Sequence, residues 1–173
     1  MPDEEIDLVD ERDRIVGSST IRKALASGQL HRAVAVVVVR SSGAYLLQQR
    51  SRHDVWHPGL WTLSSTGHVK KGEAYREAAA RELLEELGIV ARLSHVKKFL
   101  LPPICASGLT EFEWTDLFET HSDAVCKVDP AEVERVREVG VVQLSKMVRG
   151  RSLTPDAVII LRDYLKSRYQ LGA

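Results

Sequence analysis

Cysteine is scarce in this sequence, which has two examples among 173 residues, Cys105 and Cys126. They form no Cys-x-x-Cys pair, and neither has a neighbouring histidine at the offsets of a zinc finger. The spacing argues against a structural zinc site and against a disulfide framework. We therefore expect a protein of a reducing compartment, with both cysteines buried as small apolar side chains.

An excess of charge of either sign is also missing, because 24 Lys and Arg balance 24 Asp and Glu. This balance argues against a positive surface that would neutralise a nucleic-acid backbone. The longest apolar run, residues 33–39, is far shorter than the roughly 20 residues that cross a bilayer. The acidic start of the chain lacks the positive charge of a signal peptide. We expect a cytoplasmic protein that contacts no nucleic-acid backbone and no membrane.

What the sequence contains is the composition of an ordinary globular domain. Hydrophobic residues make up 44% and charged residues 28%, which excludes disordered, collagen-like and coiled-coil classes. The length fits one domain, and neither repeats nor a linker interrupt it. We therefore expect residues 1–173 to form a single domain, in which residues 1–30 contribute an N-terminal hairpin and a connector.

Strand and helix patterns alternate along the chain. The β-branched run at 33–39 predicts a central strand buried on both faces. Residues 74–87 predict a helix that ends at Gly88, and Pro155 starts a terminal helix. Further strands are expected at 44–48, 61–65, 90–100, 111–120 and 137–142, a long loop at 102–108 and a short helix at 130–135. This mixture predicts a layered α/β domain.

The predicted helix at 74–87 carries three glutamates, Glu82, Glu85 and Glu86, within an arc of roughly 100°. Like charges at this spacing repel one another, so the cluster needs a counter-charge. Arg81 supplies part of it, and a hard divalent cation such as Mg²⁺ would supply the rest by bridging carboxylates to phosphates. The alternative is an acidic helix face that only contacts solvent.

The residues around this helix favour the first interpretation. Gly67 is followed after five residues by Glu73 and, after seven more, by Arg81, with Gly88 and Ile89 at the end. Residues 67–89 resemble the Nudix box. The resemblance implies an α/β/α sandwich with a mixed central sheet, in which a loop-helix-loop holds Mg²⁺ or Mn²⁺. It also implies hydrolysis of a nucleoside diphosphate linked to another moiety.

Gly67, Glu73 and Arg81 are the outer residues of the box, and a structural ion pair is the alternative to a catalytic role for Glu73 and Arg81. Gly67 permits a backbone turn into the helix and brings its carbonyl close to an ion. Glu73 either reaches the site or pairs with Arg81. Arg81 organises the glutamates, since it lies about 100° from Glu82 on the helix.

Outside the box, the chain resembles the Nudix branch that contains isopentenyl-diphosphate isomerases. The matching segments are Leu30-His31, Gln49-Arg50, residues 56–62, Gly67-His68 and residues 111–113. In those isomerases three histidines and a Glu-x-Glu pair hold a metal, and a cysteine before the Gly-His step transfers a proton.

The resemblance to the isomerases is incomplete. His31, His68, Glu111 and Glu113 fit the metal ligands, but Thr66 stands at the position of the cysteine. A threonine hydroxyl titrates far above a thiol. The third histidine position falls near Ala24, which has no donor atom. Taken separately, His31 also fits a contact with a backbone carbonyl, and the two glutamates fit a solvated sheet face.

The candidate substrate contacts are Arg50, Arg52, His31, Glu73 and Trp61. An arginine fork suits phosphate, although Asp54 replaces the lysine that the resemblance would place near Arg50. Trp61 fits either stacking on a base or core packing.

Together these features predict a metal-dependent hydrolase in which water attacks phosphorus of a small diphosphate substrate. Glu82, Glu85 and Glu86 hold the cation with Gly67, His68, Glu111 and Glu113, and Glu85 or Glu86 orients the water. An isopentenyl-diphosphate isomerase and a non-catalytic nucleotide sensor are the alternatives. The acidic N-terminal hairpin is a candidate contact for a homodimer.

Overall fold

A computed structural model describes residues 3–169. Its elements in chain order are β1 (Glu5–Val9), β2 (Ile15–Thr20), α1 (Ile21–Ser27), β3 (His31–Val39), β4 (Tyr45–Arg50), β5 (Trp61–Thr62), β6 (Ser65–His68), α2 (Tyr75–Leu87), β7 (Ser94–Leu100), β8 (Ile104–Ala106), β9 (Leu109–Glu111), β10 (Glu113–His121), β11 (Val133–Val139), α3 (Val141–Arg149) and α4 (Pro155–Tyr169). Within this range, no helix combines the length and apolar character needed to cross a membrane.

Strand β3 is the centre of a mixed nine-stranded sheet. It pairs antiparallel with β1, β4 and β6, and parallel with β10 along its whole length. Such a strand has no solvent-facing side, which is why its sequence is β-branched without polar alternation. The prediction of a central strand buried on both faces is confirmed.

Alternate residues of β3 face two different apolar cores. Val34, Val36 and Val38 pack against α2, whereas Ala35, Val37 and Val39 pack on the side of α3 and α4. Burying each valine contributes roughly 1.5 kcal/mol or more, so the strand fixes both helical layers. The predicted α/β/α sandwich with a mixed central sheet is confirmed.

Helix α2 has clear ends. The Glu77 side chain accepts a hydrogen bond from the Ala74 backbone N–H, at 3.0 Å, where the helix begins. Gly88 ends it in the left-handed conformation, with φ of 66°, as the sequence predicts. The helix therefore presents its carboxylates at a fixed position above β3 and β6.

Two segments differ from the sequence prediction in the second half of the chain. Residues 133–139 form strand β11, so the short helix predicted over 130–135 is wrong. Pairing with the edge of β4 buries Val133 and Val139, which outweighs the local helical pattern. The strand predicted over 137–142 is cut short, because helix α3 begins at Val141.

Part of the segment predicted as a loop, residues 102–108, forms the hairpin β8–β9 instead. Ser107 and Gly108 both have positive φ, 53° and 77°, which suits a tight two-residue hairpin turn. Cys105 lies on this hairpin and is exposed, and Cys126 is half-buried, so the expected burial of both cysteines is wrong. The predicted strand 111–120 is consequently interrupted, since Glu111 belongs to β9 and Glu113 starts β10.

Candidate functional site

A cavity of about 270 Å³ lies between helix α2 and the edge of the sheet. Strands β3, β4, β6, β9 and β10 contribute to its lining, as do residues 53–56 and the first turn of α4. The structure brings most of the predicted site residues to this cavity. Those in the lining are Arg50, Gly67, His68, Arg81, Glu82, Glu85, Glu86, Glu111 and Glu113.

Arg81 connects the acidic residues at one end of the cavity. Its Nη1 donates to Glu82 Oε1 at 2.6 Å and to Glu85 Oε2 at 3.2 Å. Its Nε and Nη2 donate to the two oxygens of Glu73, both at 2.9 Å, and Nη2 also donates to the His68 carbonyl. All three guanidinium nitrogens donate to these neighbours, which favours a role for Arg81 in holding the glutamates over a contact with the substrate.

The same contacts place Glu73 outside the cavity lining. Both of its oxygens are engaged by Arg81, and one also accepts the Lys70 backbone N–H at 3.0 Å. The structure therefore favours the ion-pair interpretation of Glu73 over direct access to a substrate.

Burial changes the acidity of two box glutamates. Burial raises the pKa of Glu82 to about 7, against the opposing charge of Arg81. It raises the pKa of Glu86 to about 8, and the charge of nearby Glu82 acts in the same direction. Glu85 differs, because 54% of its side chain is exposed. Two carboxylates held in a desolvated position favour either protonation or binding of a cation.

Gly67 serves this cluster in a different way from the one expected. It is a strand residue of β6, paired with Val34, and not a turn into the helix. A Cβ at this position would lie 2.1 Å from the carboxyl carbon of Glu82. The glycine is required because the glutamate packs directly against the backbone.

Glu86 receives hydrogen bonds from neutral groups. Gln48 Nε2 lies 3.2 Å from each of its carboxylate oxygens, and the Thr66 backbone N–H donates to Oε2 at 3.1 Å. Gln48 was not among the residues singled out from the sequence. The sequence feature that could have indicated Gln48 is a polar residue directly after the apolar pair Leu46 and Leu47 in a strand.

We call the lining around Glu82, Glu85 and Glu86 the box end of the cavity, and the lining around His68 and Glu113 the far end, where a second cluster of donor atoms lies. The Nε2 atoms of His31 and His68 are each 3.4 Å from Glu113 Oε1, and the three donor atoms lie within 4.8 Å of one another. The residues come from β3, β6 and β10, which meet because β3 pairs with both other strands. Register brings together three residues that are far apart in the sequence.

The chemistry of this cluster fits a bound cation. His31 is fully buried, and its Nδ1 lies 2.8 Å from the Gln29 carbonyl. When Nδ1 donates to that carbonyl, Nε2 carries a lone pair, and this buried atom has no hydrogen-bond partner among residues 3–169. Without a bound ion, protons on the two Nε2 atoms would face Glu113 instead, and the imidazoles would then hold its pKa well below its usual range against the effect of burial.

Glu111 lines the cavity beside this cluster without joining it. Burial and the charge of Glu113 raise the pKa of Glu111 well above its usual range. The other two positions implied by the isomerase resemblance carry no metal-binding side chain. Thr66 lines the cavity on β6, and Ala24 is buried in the small core around α1.

Three residues predicted to contact the substrate lie in different places relative to the cavity. Arg50 lines the cavity, with Nε donating to the Trp56 carbonyl at 2.7 Å and Nη2 donating to Asp54 at 2.6 Å. Arg52 lies outside the lining, with 76% of its side chain exposed. Trp61 packs into the core on the α4 side. The structure therefore keeps Arg50 as a candidate contact and separates Arg52 and Trp61 from the cavity.

Comparison with known proteins identifies the family. The NUDIX domain model matches residues 29–157. An isopentenyl-diphosphate Delta-isomerase of Nocardia farcinica is 38% identical over 136 residues, covering 78% of each chain. An uncharacterized Nudix hydrolase of Pseudomonas aeruginosa is 32% identical, covering 91% of this chain and 90% of its own.

Solved structures agree. The crystal structure of DR0079 from Deinococcus radiodurans superposes with a TM-score of 0.78 at 25% identity, covering 92% of this chain and 98% of its own. The family match spans the box helix, both donor clusters and all of the cavity lining except Glu4. This chain belongs to the Nudix family.

Proposed function

We propose that this protein is a metal-dependent hydrolase that cleaves the diphosphate bond of a nucleoside diphosphate linked to another moiety. The observation that carries the proposal is the assembly of Glu82, Glu85 and Glu86 on one wall of the cavity, with Arg81 beside them. Three carboxylates that converge on an open cavity suit Mg²⁺ or Mn²⁺ and the phosphates such cations accompany.

The residues suited to hold the cation are Glu82, Glu85 and Glu86, with the Gly67 carbonyl beside them. His31, His68 and Glu113 would hold a second ion, with Glu111 near it. A bound divalent cation neutralises diphosphate charge and lowers the pKa of a coordinated water.

The chain's own groups supply position and proton transfer. Arg50 lines the cavity and is proposed to contact a diphosphate oxygen, since its guanidinium is a planar donor fork. Water attacks phosphorus, the bridging P–O bond breaks, and Glu86 or Glu85 accepts the proton. Both carboxylates line the cavity, so either is placed to accept this proton. The products are a monophosphate and the phosphorylated remainder.

Isomerisation of isopentenyl diphosphate is the second candidate. It is supported by the relative of that name and by the cluster of His31, His68 and Glu113. Against it stand Thr66, whose hydroxyl is too weak an acid for proton transfer near neutral pH, and Ala24, which offers no ligand atom. A non-catalytic nucleotide sensor is the third candidate, and it has no need for all three box carboxylates.

A substrate panel distinguishes the three. The purified protein is incubated with nucleoside diphosphates, sugar nucleotides, dinucleotides and the C5 isoprenoid diphosphate, with Mg²⁺ or Mn²⁺, and released monophosphates are measured. We expect cleavage that Glu85→Gln and Glu86→Gln each abolish. Near wild-type turnover in both variants would refute the mechanism. For the C5 substrate, deuterium exchange at carbon with the diphosphate intact would support isomerisation, and tight binding without product would support a sensor.

A further inference from the structure

Gln48 occupies a position where the fold calls for an aliphatic side chain. In β4, Leu46 packs into the core beneath α2 and Leu47 into the core beneath α4. By strand alternation, Gln48 falls in the same row as Leu46, facing α2. Its side chain is 2% exposed, yet it reaches the cavity wall at Glu86. A buried amide in an apolar row requires a specific partner.

That partner is the Glu86 carboxylate. One amide nitrogen of Gln48 lies 3.2 Å from both carboxylate oxygens, and together with the Thr66 backbone N–H on Oε2 it restrains the orientation of the group. The Gln48 carbonyl oxygen is buried and has no partner among residues 3–169. Leaving this acceptor unpaired has a free-energy cost. The position is therefore better explained by the contact with Glu86 than by stability of the core.

The type of donor matters as much as its position. Glu82 is contacted by the cationic Arg81, whereas Glu86 is contacted by two neutral donors, the Gln48 amide and the Thr66 backbone N–H. A neutral donor orients a carboxylate without cancelling its charge. A cationic donor at the same place would compete with a divalent cation for the same oxygens.

From this geometry we infer that Gln48 is a positioning residue for Glu86, holding its carboxylate in the orientation that binds the cation and faces the reacting water. The inference rests on the proposed function for its effect on turnover. Its effect on cation affinity does not depend on which substrate is cleaved.

The variant that tests it is Gln48→Met, which keeps the side-chain length and removes the amide. Its matched control is Gln49→Met, at the neighbouring residue, whose amide donates to the Gly59 carbonyl instead of Glu86. Mn²⁺ affinity is measured by electron paramagnetic resonance, thermal unfolding is measured without metal, and kcat and KM are measured with a substrate that the wild type cleaves.

We expect Gln48→Met to weaken Mn²⁺ binding or lower kcat by about 10- to 100-fold, with KM nearly unchanged, as is typical when a partner of a ligating carboxylate is removed. Gln49→Met should leave Mn²⁺ affinity at the wild-type value. In a Glu86→Gln background, Gln48→Met should have no further effect, because the group it orients is already changed.

Three results would overturn the inference. They are wild-type Mn²⁺ affinity and kcat in Gln48→Met, an effect that adds fully to that of Glu86→Gln, and a fall in the unfolding temperature that alone accounts for the loss. If the wild type cleaves no diphosphate, the proposed function fails, while the Mn²⁺ affinities of the two variants still decide the role of Gln48.

Discussion

The two ends of the cavity balance the negative charge of their carboxylates with different groups. At the box end, Arg81 balances Glu73, Glu82 and Glu85 through hydrogen bonds within one segment of chain. At the far end, two imidazoles face the buried carboxylate of Glu113, with Glu111 beside it.

The difference predicts different ions. Carboxylate oxygens suit hard cations such as Mg²⁺ or Mn²⁺, whereas imidazole nitrogens beside a carboxylate suit a transition metal such as Zn²⁺. It also predicts that different substitutions disrupt the two ends, because the box end depends on close packing around one arginine. The far end depends on strand register. The following predictions test this contrast, from the largest expected effect to the smallest.

Gly67→Ala should damage the box end most. The added methyl group would meet the Glu82 carboxyl carbon at 2.1 Å, so the glutamate must move out of position. A misplacement of about 1 Å is enough to lower turnover about 10²-fold. Steady-state kcat on the diphosphate substrate measures it. Gly17→Ala is the control, since nothing lies within 4 Å of its added methyl group. Unchanged kcat in Gly67→Ala would contradict this account of the glycine.

Arg81→Gln should lower the free energy of unfolding by about 3 kcal/mol, because it leaves Glu73 and Glu82 without their cationic partner in a largely buried position. Urea denaturation of the metal-free protein measures the change. Arg14→Gln removes an exposed ion pair with Asp10, which solvent screens, and should leave the free energy of unfolding nearly unchanged. Equal effects in the two variants would mean that Arg81 is not an organising residue.

His31→Gln should affect the far end alone. We expect about 10- to 100-fold weaker binding of the transition metal, because the variant removes a buried imidazole ligand, with Mg²⁺ affinity at the box end unchanged. Calorimetric titration with each ion measures both. His121→Gln, at a largely exposed histidine, is the control. Parallel loss of both affinities would show that the two ends form one site.

The metal-free protein should lose stability as the pH rises from about 4.5 to about 8. The folded pKa values of Glu82 and Glu86, about 7 and about 8, lie above their unfolded values, so the protonated state favours folding. That contribution is complete below the unfolded pKa and is lost as the pH passes through the folded pKa. We expect a fall of a few degrees in the unfolding temperature, reversed by Mg²⁺. A flat profile with and without Mg²⁺ would argue against a cation at these residues.

The contrast also explains what the sequence could predict. The box end lies within residues 67–89, so local spacing placed its glutamates and Arg81 on one helix face. The far end depends on the parallel register of β10 with β3, which pairs Glu113 with His31 and has no local signal. The resemblance to a known family supplied those residues instead.

Errors arose where tertiary pairing outweighs local pattern. Strand β11 takes its conformation from the edge of β4, and hairpin β8–β9 interrupts the strand expected to carry both Glu111 and Glu113. Gln48 was missed because its function depends on a contact with Glu86, 38 residues further along the chain. Position in the fold, rather than residue type, decides such roles.

The most direct test of the central claim is hydrolysis of the cleaved diphosphate in ¹⁸O-labelled water with Mg²⁺, read by mass spectrometry of the products. The account predicts one ¹⁸O atom in a product phosphate, formed by attack of water at phosphorus, and its loss in Glu86→Gln. No cleavage of any nucleotide substrate, together with deuterium incorporation at carbon into intact C5 diphosphate, would contradict it.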